Sequence, residues 1–252
     1  MKKHKFAVLA GLLTTLVLTG AAAFPAQAAK PQPISPRTYS ALGDSFAAGV
    51  GAGTSINELG QSAEAYPVVL AGGDNLNLNL NFLAVGSGVT TETVAADQIP
   101  LIPDTTQQVT LTVGGNDLGF VPKATACFTY PTACALSDAD LVKLGTLTES
   151  LSANIAAIHA AAPAATIYVT GYPLLFQAAQ TPDDSGLCVA GDTPTGPLGI
   201  SEAQADALDA DAVALNSAIK SAIARPTHRY ANYVDVTAAF TRHGLCGTYT
   251  ST

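Results

Sequence analysis

Blocks of apolar and polar residues alternate along the chain and predict strands and helices in turn. Alternating or β-branched segments at 38–42, 76–85, 109–113, 166–170 and 230–236 predict five strands. Residues 141–162 and 201–224 predict long helices; the first has apolar residues at helical spacing, namely Leu144, Leu147, Leu151, Ile155 and Ile158. A short helix is expected near 92–99, and the Pro, Gly and Asp content of 174–200 predicts a long loop. This alternation predicts an α/β fold with a central, mainly parallel five-stranded sheet.

The amino-terminal segment has the pattern of a secretory signal. A basic start is followed by an apolar stretch at 6–18 and by Ala26-Gln27-Ala28, a small-x-small cleavage site. We therefore predict a signal peptide over 1–28, a flexible lead-in over 29–37 and a single domain over 38–252. The apolar stretch is short for a membrane span, so we expect a secreted protein without a stable membrane anchor, with an uncleaved anchor as the alternative.

Charge and cysteine content narrow the class of protein further. The chain has 19 acidic and 11 basic residues, a formal net charge of −8, which argues against nucleic acid or an anionic membrane as a partner. Four cysteines fit an oxidising compartment and allow three pairings. Cys127 with Cys134 and Cys188 with Cys246 is the favoured pairing. The sequence lacks Cys-x-x-Cys and its histidines are scattered, so we expect no metal and no cofactor.

Four polar or glycine positions follow the predicted strands and predict a catalytic site. Ser45 lies in a Gly-Asp-Ser turn, Gly88 in a Gly-Ser-Gly turn, Asn116 in a Gly-Gly-Asn-Asp turn, and His243 after the last strand. The carboxyl ends of parallel strands share one edge of a sheet, where ligands bind. A serine nucleophile needs a base, here His243, and oxyanion donors, here the Ser45 and Gly88 N–H groups and the Asn116 amide. Taken alone, Ser45, Gly88 and Asn116 are more simply turn or loop residues, and His243 a structural histidine beside the Cys188–Cys246 bridge. His159 and His228 are expected at the surface.

Together these four blocks resemble those of the SGNH (GDSL-type) hydrolases. The sequence around them is most similar to that of the secreted actinobacterial esterases and lipases of this family. The blocks are Leu42-Gly43-Asp44-Ser45, Ser87-Gly88-Val89-Thr90-Thr91, Gly114-Gly115-Asn116-Asp117 and His243. The resemblance implies a three-layer, flavodoxin-like α/β/α sandwich. It also implies that Ser45 is the nucleophile, that Gly88 and Asn116 complete the oxyanion hole, and that His243 is the base.

One position departs from that family. Most members have an aspartate three residues before the histidine, where this chain has Phe240. We expect a main-chain carbonyl near Phe240 to orient the His243 ring, with Asp235 as the alternative.

The predicted activity is hydrolysis of carboxylic esters, small or lipid, by a secreted monomeric serine esterase or lipase through an acyl-serine intermediate. An apolar run after the fourth strand is a candidate acyl pocket or, alternatively, core; its residues are Tyr172, Leu174, Leu175 and Phe176. The alternatives are a carbohydrate O-acetylesterase of the same fold and a catalytically silent binding protein. The Gly-x-Ser-x-Gly pentapeptide of α/β-hydrolases does not occur.

Overall fold

A parallel five-stranded sheet forms the centre of the domain, as the sequence predicts. The computed structural model describes residues 35–73, 76–177, 187–193 and 196–246. Its strands are β1 (Arg37–Gly43), β2 (Leu78–Phe82), β3 (Gln108–Thr112), β4 (Thr166–Thr170) and β7 (Ala231–Val234). The sheet order is β2-β1-β3-β4-β7, and every neighbouring pair is parallel. The predicted signal peptide over 1–28 lies outside the described residues.

Helices connect these strands, and the bounds of the two long helices lie close to those predicted. They are α1 (Ser45–Ala48), α2 (Tyr66–Gly72), α3 (Thr91–Thr93), α4 (Gly115–Leu118), α5 (Phe120–Thr129), α6 (Asp138–Ala161) and α7 (Glu202–Ile223). A π-helical turn, Val94–Gln98, and a 3-10 turn, Ile99–Leu101, extend α3, and a further 3-10 turn is Pro131–Ala133. The two long helices both begin with a capping box, Ser137 with Asp140 and Ser201 with Gln204, which satisfies otherwise unpaired N–H groups.

The main core lies between one face of the sheet and the two long helices. The predicted apolar stripe of α6, from Leu144 to Ile158, is buried there against strand residues such as Leu111 and Ile167. The opposite face carries Tyr39, Thr110 and Tyr168 and is flanked by α1 and α2. Helices on both faces of a parallel sheet allow both sets of strand side chains to leave water.

The prediction of a continuous loop over 174–200 is wrong. Strands β5 (Leu187–Thr193) and β6 (Gly196–Ser201) form a separate antiparallel pair with an irregularity between Val189 and Gly191. Disulfides join Cys188 to Cys246 and Cys127 to Cys134, the favoured pairing, and all four cysteines lie in one small apolar cluster. The Pro, Gly and Asp residues of this segment predict a loop. The segment nevertheless contains two strands, because hydrogen bonds between β5 and β6 hold the backbone extended.

Candidate active site

Ser45 is the first residue of α1 and follows the end of β1 after one intervening residue, Asp44. Gly43 has φ 135°, and a Cβ atom there would lie 2.2 Å from the Thr112 carbonyl oxygen, so the turn requires glycine. Asp44 caps α1 by accepting the Phe46 N–H at 3.0 Å. The Ser45 side chain is half-buried. The chain thus presents this serine at the carboxyl edge of the sheet, where the N–H groups of the first helical turn have no partner within the helix.

Gln98 fixes the backbone of this turn from the side. Its amide nitrogen donates to the Gly43 carbonyl at 2.9 Å, and its amide oxygen accepts the Gly43 N–H at 2.8 Å. Its side chain is buried in the π-helical turn. This contact is not predictable from the sequence, because Gln98 follows the charged Asp97 and resembles an ordinary polar position of a short helix.

Asn116 lies in the corresponding turn after β3, in α4. Its Nδ2 atom donates to the Val89 carbonyl at 2.8 Å, which ties it to the turn that contains Gly88. Because a side-chain amide has two N–H donors, one remains for a second acceptor. The next residue, Asp117, accepts the Thr91 N–H at 3.1 and 3.2 Å. Gly88 itself has φ 57°, and its missing Cβ would meet no atom within 4 Å.

A cavity of about 200 Å³ joins the nucleophile turn to the Asn116 turn. Ser45 and Asn116 both line it, together with Tyr172 and Leu175 from the apolar run predicted as an acyl pocket. The other two residues of that run are placed differently: Leu174 is half-buried outside the lining, and Phe176 is 3 % exposed and packs with the disulfides. The residues on the wall that the sequence analysis did not name include Phe120, Val121 and Ala212.

His243 lies in the loop after β7, and its side chain is exposed. The loop is anchored on both sides of this histidine to neighbours of the Ser45 cavity. Phe240 packs against Phe46 with ring centroids 6.4 Å apart, and the Leu245 N–H donates to the Leu175 carbonyl at 2.7 Å. His243 is not among the described residues that line the cavity with Ser45. Gly88 is likewise outside that lining.

The two groups considered as orienters of His243 have other partners. The Phe240 carbonyl accepts the His243 backbone N–H at 2.9 Å and the Gln177 side-chain amide at 2.6 Å. The Asp235 carboxylate accepts the Thr237 N–H at 3.0 Å and pairs with Lys220 at 3.3 Å.

His159 and His228, both predicted at the surface, differ in how far they are buried. His159 is half-buried at the end of α6 and stacks on Tyr230 with centroids 3.6 Å apart. His228 is only 4 % exposed, and its Nδ1 atom bonds with the Ala222 carbonyl at 3.0 Å, so the surface prediction for it is wrong. The residues that surround it come from other elements, which its own loop sequence does not show.

Burial controls the electrostatics beside Ser45. Burial raises the pKa of Asp44 to about 6, although hydrogen bonds from Tyr172 and from the Phe46 N–H oppose the shift. Burial also raises the pKa of Tyr172 well above its ordinary value, and the nearby Asp44 charge adds to this. The Tyr172 hydroxyl therefore remains protonated across the neutral range and donates to the Asp44 carboxylate at 2.5 Å.

A larger cavity of about 670 Å³ lies on the sheet face opposite the long helices. Phe46 and Val50 line both cavities, which are therefore neighbours. Its strand hydroxyls pair with other hydroxyls: Tyr39 with Thr110 at 2.7 Å and Thr112 with Thr170 at 2.6 Å. Its wall is therefore largely apolar in character.

The described residues contain neither a metal-binding cluster nor a helix able to span a membrane. Within 35–73, 76–177, 187–193 and 196–246, no group of three or more His, Cys, Asp or Glu residues could hold a metal ion. In the same part of the chain, no helix has the length and apolar character needed to cross a membrane.

Two neighbouring strand–turn–helix units thus bring a serine and an asparagine to one cavity of an α/β fold. The chain belongs to the GDSL-like Lipase/Acylhydrolase family, whose model matches residues 41–250. It is 32 % identical to Lipase 1 of Streptomyces coelicolor over 246 residues, which cover 94 % of this chain and 84 % of that protein. It is therefore a carboxylic-ester hydrolase.

Solved structures of Streptomyces enzymes share the fold. The extracellular lipase from Streptomyces rimosus matches with a TM-score of 0.66 at 30 % identity, over 84 % of this chain and 85 % of that one. Phospholipase A1 from Streptomyces albidoflavus NA297 matches with a TM-score of 0.64 at 31 % identity, with the same coverage. The two disulfides fit a secreted protein.

Proposed function

We propose that the protein is a secreted, metal-independent esterase or lipase in which Ser45 is the acyl-accepting nucleophile. The observation that carries this proposal is that Ser45 and Asn116, from turns after neighbouring strands, line one cavity. The nucleophile and an amide donor thus face the same space, as acyl transfer requires. The signal-like segment 1–28 and the two disulfides support export.

In the proposed reaction, the Ser45 Oγ attacks the ester carbonyl while His243 takes the hydroxyl proton. The N–H groups of Ser45 and Gly88 and the free Asn116 N–H hold the oxyanion of the tetrahedral intermediate. His243 then gives the proton to the leaving alcohol oxygen, which leaves an acyl-serine. A water molecule, deprotonated by the same histidine, attacks the acyl carbon and releases the carboxylic acid and the free serine.

The assignment of His243 as the base is supported by its position in the loop after β7. That loop is fastened on one side to Phe46, next to Ser45, and on the other to Leu175, which lines the cavity. An unperturbed imidazole titrates close to neutrality and suits a general base. A main-chain carbonyl near Phe240 is the proposed orienter of its ring, with Asp235, which also contacts Thr237 and Lys220, as the alternative.

The proposed substrate carries an apolar acyl group. The cavity wall near Ser45 includes Phe120, Val121 and Leu175, side chains that a hydrocarbon can contact without loss of hydrogen bonds. A relative of similar fold is named phospholipase A1, so a phospholipid belongs among the substrates tested beside simple esters and acetylated sugars.

The test is hydrolysis of p-nitrophenyl esters of increasing chain length, a phospholipid and acetylated xylan by the intact protein and three variants. We expect Ser45→Ala and His243→Gln to lose activity by a factor of about 1,000 or more, as for other nucleophile–base pairs. His159→Gln is the control and should retain activity, because His159 lies in the last turn of α6 and stacks on Tyr230. A folded wild-type protein inactive on every ester would favour the binding-protein alternative. Full activity of His243→Gln would remove that residue from the mechanism.

A further inference from the structure

One hydroxyl oxygen connects the turn of the nucleophile with the turn of the oxyanion donor. The Tyr172 hydroxyl donates to Asp44 Oδ2 at 2.5 Å and accepts the Gly115 N–H at 3.1 Å. Asp44 directly precedes Ser45, and Gly115 directly precedes Asn116. We propose that Tyr172 is a positioning residue whose hydroxyl fixes the distance between Ser45 and the Asn116 amide. This inference rests on the proposed function of those two residues.

The bridge lies beyond the point where the sheet holds the two turns together. The ladder between β1 and β3 ends with Gly43 opposite Thr112, and the Asp44 N–H makes one more bond to the Thr112 carbonyl at 3.0 Å. Ser45 and Asn116 both follow these positions. A contact past the end of the ladder is therefore needed to hold the two turns at a constant separation, and the Tyr172 hydroxyl makes it.

Tyr172 is itself held firmly enough to act as a fixed point. The Asn216 side chain of α7, which is buried, accepts the Tyr172 N–H at 2.8 Å and donates to the Tyr172 carbonyl at 2.8 Å. The preceding Gly171 permits this approach, because a Cβ atom there would lie 2.7 Å from the Asn216 Oδ1 atom. The Tyr172 ring also packs edge to face on Phe46, with centroids 5.8 Å apart.

The other side of Asn116 is fixed as well, so the bridge completes a chain of contacts through the whole proposed oxyanion hole. Asn116 bonds with the Val89 carbonyl, and Asp117 holds the Thr91 N–H. The turn of Gly88 and the turn of Asn116 thus form one unit. Tyr172 connects that unit with the turn of Ser45, and a displacement of about 1 Å between catalytic groups can cost roughly 100-fold in rate.

From the sequence, Tyr172 is instead a candidate for contact with the acyl chain. That role predicts a different change in kcat and KM from a positioning role. Tyr172→Phe retains the ring, and therefore the apolar wall of the cavity, and removes only the bridging oxygen. A positioning role requires the same relative loss with every ester, in kcat rather than in KM. A role in acyl contact makes the loss depend on chain length and appear in KM.

The experiment compares kcat and KM of Tyr172→Phe and wild type on acetyl, butyryl and octanoyl p-nitrophenyl esters. We expect kcat to fall by about 10- to 100-fold by the same factor on all three, with KM changed by less than about twofold. The matched control is Tyr39→Phe, which also removes a buried hydroxyl, bonded to Thr110 in mid-sheet, and should leave kcat unchanged. Melting temperatures of all variants establish that assays are made on folded protein.

A double-mutant cycle separates positioning from general stabilisation. If Tyr172 acts through the Asn116 amide, Tyr172→Phe combined with Asn116→Ala should lose little more than Asn116→Ala alone. Unchanged kcat in Tyr172→Phe, a loss that depends on chain length, or multiplication of the two losses would overturn the inference. Inactivity of Ser45→Ala in the same series shows that the proposed function stands even where the inference fails; an active Ser45→Ala removes both.

Discussion

Asp44 gives a quantitative test of the environment beside the nucleophile. Its side chain is 2 % exposed, and burial raises its pKa from 3.8 to about 6. Between these two pH values the folded protein keeps a proton that the unfolded chain has released. The free energy of unfolding therefore falls as the pH rises through this window, and the full cost is present above about pH 6. A shift of about two units corresponds to a cost of about 3 kcal/mol.

Asp44→Asn removes this titration and keeps the shape of the side chain. The amide oxygen still accepts the Phe46 N–H, whereas the bond from the Tyr172 hydroxyl to Oδ2 is lost, at a cost of about 1 kcal/mol. Near pH 4 the variant should therefore be less stable than the wild type by about 1 kcal/mol. Near pH 7 it should be more stable by about 2 kcal/mol, because it no longer carries a buried charge.

The assay is urea unfolding of both proteins at several values between about pH 4 and pH 8, with the difference in unfolding free energy plotted against pH. Asp235→Asn is a control of opposite sign. The hydrogen bonds from Thr237 lower the pKa of Asp235, so its carboxylate stabilises the fold at neutral pH and loses this effect in acid. A difference between wild type and Asp44→Asn that stays constant over the whole range would refute the reasoning about burial.

Two further predictions concern stability away from the site. The Lys123 ammonium lies 2.7 Å from the carboxylate of the fully buried Asp211. Lys123→Met leaves that carboxylate without a cation and should lower the free energy of unfolding in urea by about 3–5 kcal/mol. The control Lys143→Met, at a more exposed lysine, should lower it by less than about 1 kcal/mol. Replacement of Cys188–Cys246 by alanines should cost about 4 kcal/mol, against about 2 kcal/mol for Cys127–Cys134, because the bridged residues are 58 and 7 positions apart. Similar costs within either comparison would contradict the reasoning.

Local patterns were sufficient for the main elements of the sheet and its helices. The β-branched run at 109–113 predicts β3, and the apolar stripe on 141–162 predicts α6 and the side it buries. Ser201 is recognisable as a cap because a capping box lies within four consecutive residues. Each of these features depends on neighbours in the chain, so the sequence contains the complete signal.

The hairpin of β5 and β6 and the burial of His228 were not predictable in this way. Turn-forming residues in the hairpin pair across strands, and the histidine is covered by residues from other elements. Propensity describes a segment alone, whereas tertiary contacts decide whether an irregular sequence becomes a strand and whether a loop side chain meets water.

By itself, the sequence determined the parallel α/β architecture and the positions of Ser45, Gly88, Asn116 and His243 after strand ends, because periodicity and turn chemistry are local properties. Only the tertiary structure decided which of these side chains share a cavity and which groups hold them. The Tyr172 hydroxyl reaches an aspartate 128 positions earlier, and Gln98 clamps a glycine 55 positions away. Such contacts depend on how the strands are ordered and how the helices pack, and no short stretch of sequence contains that information.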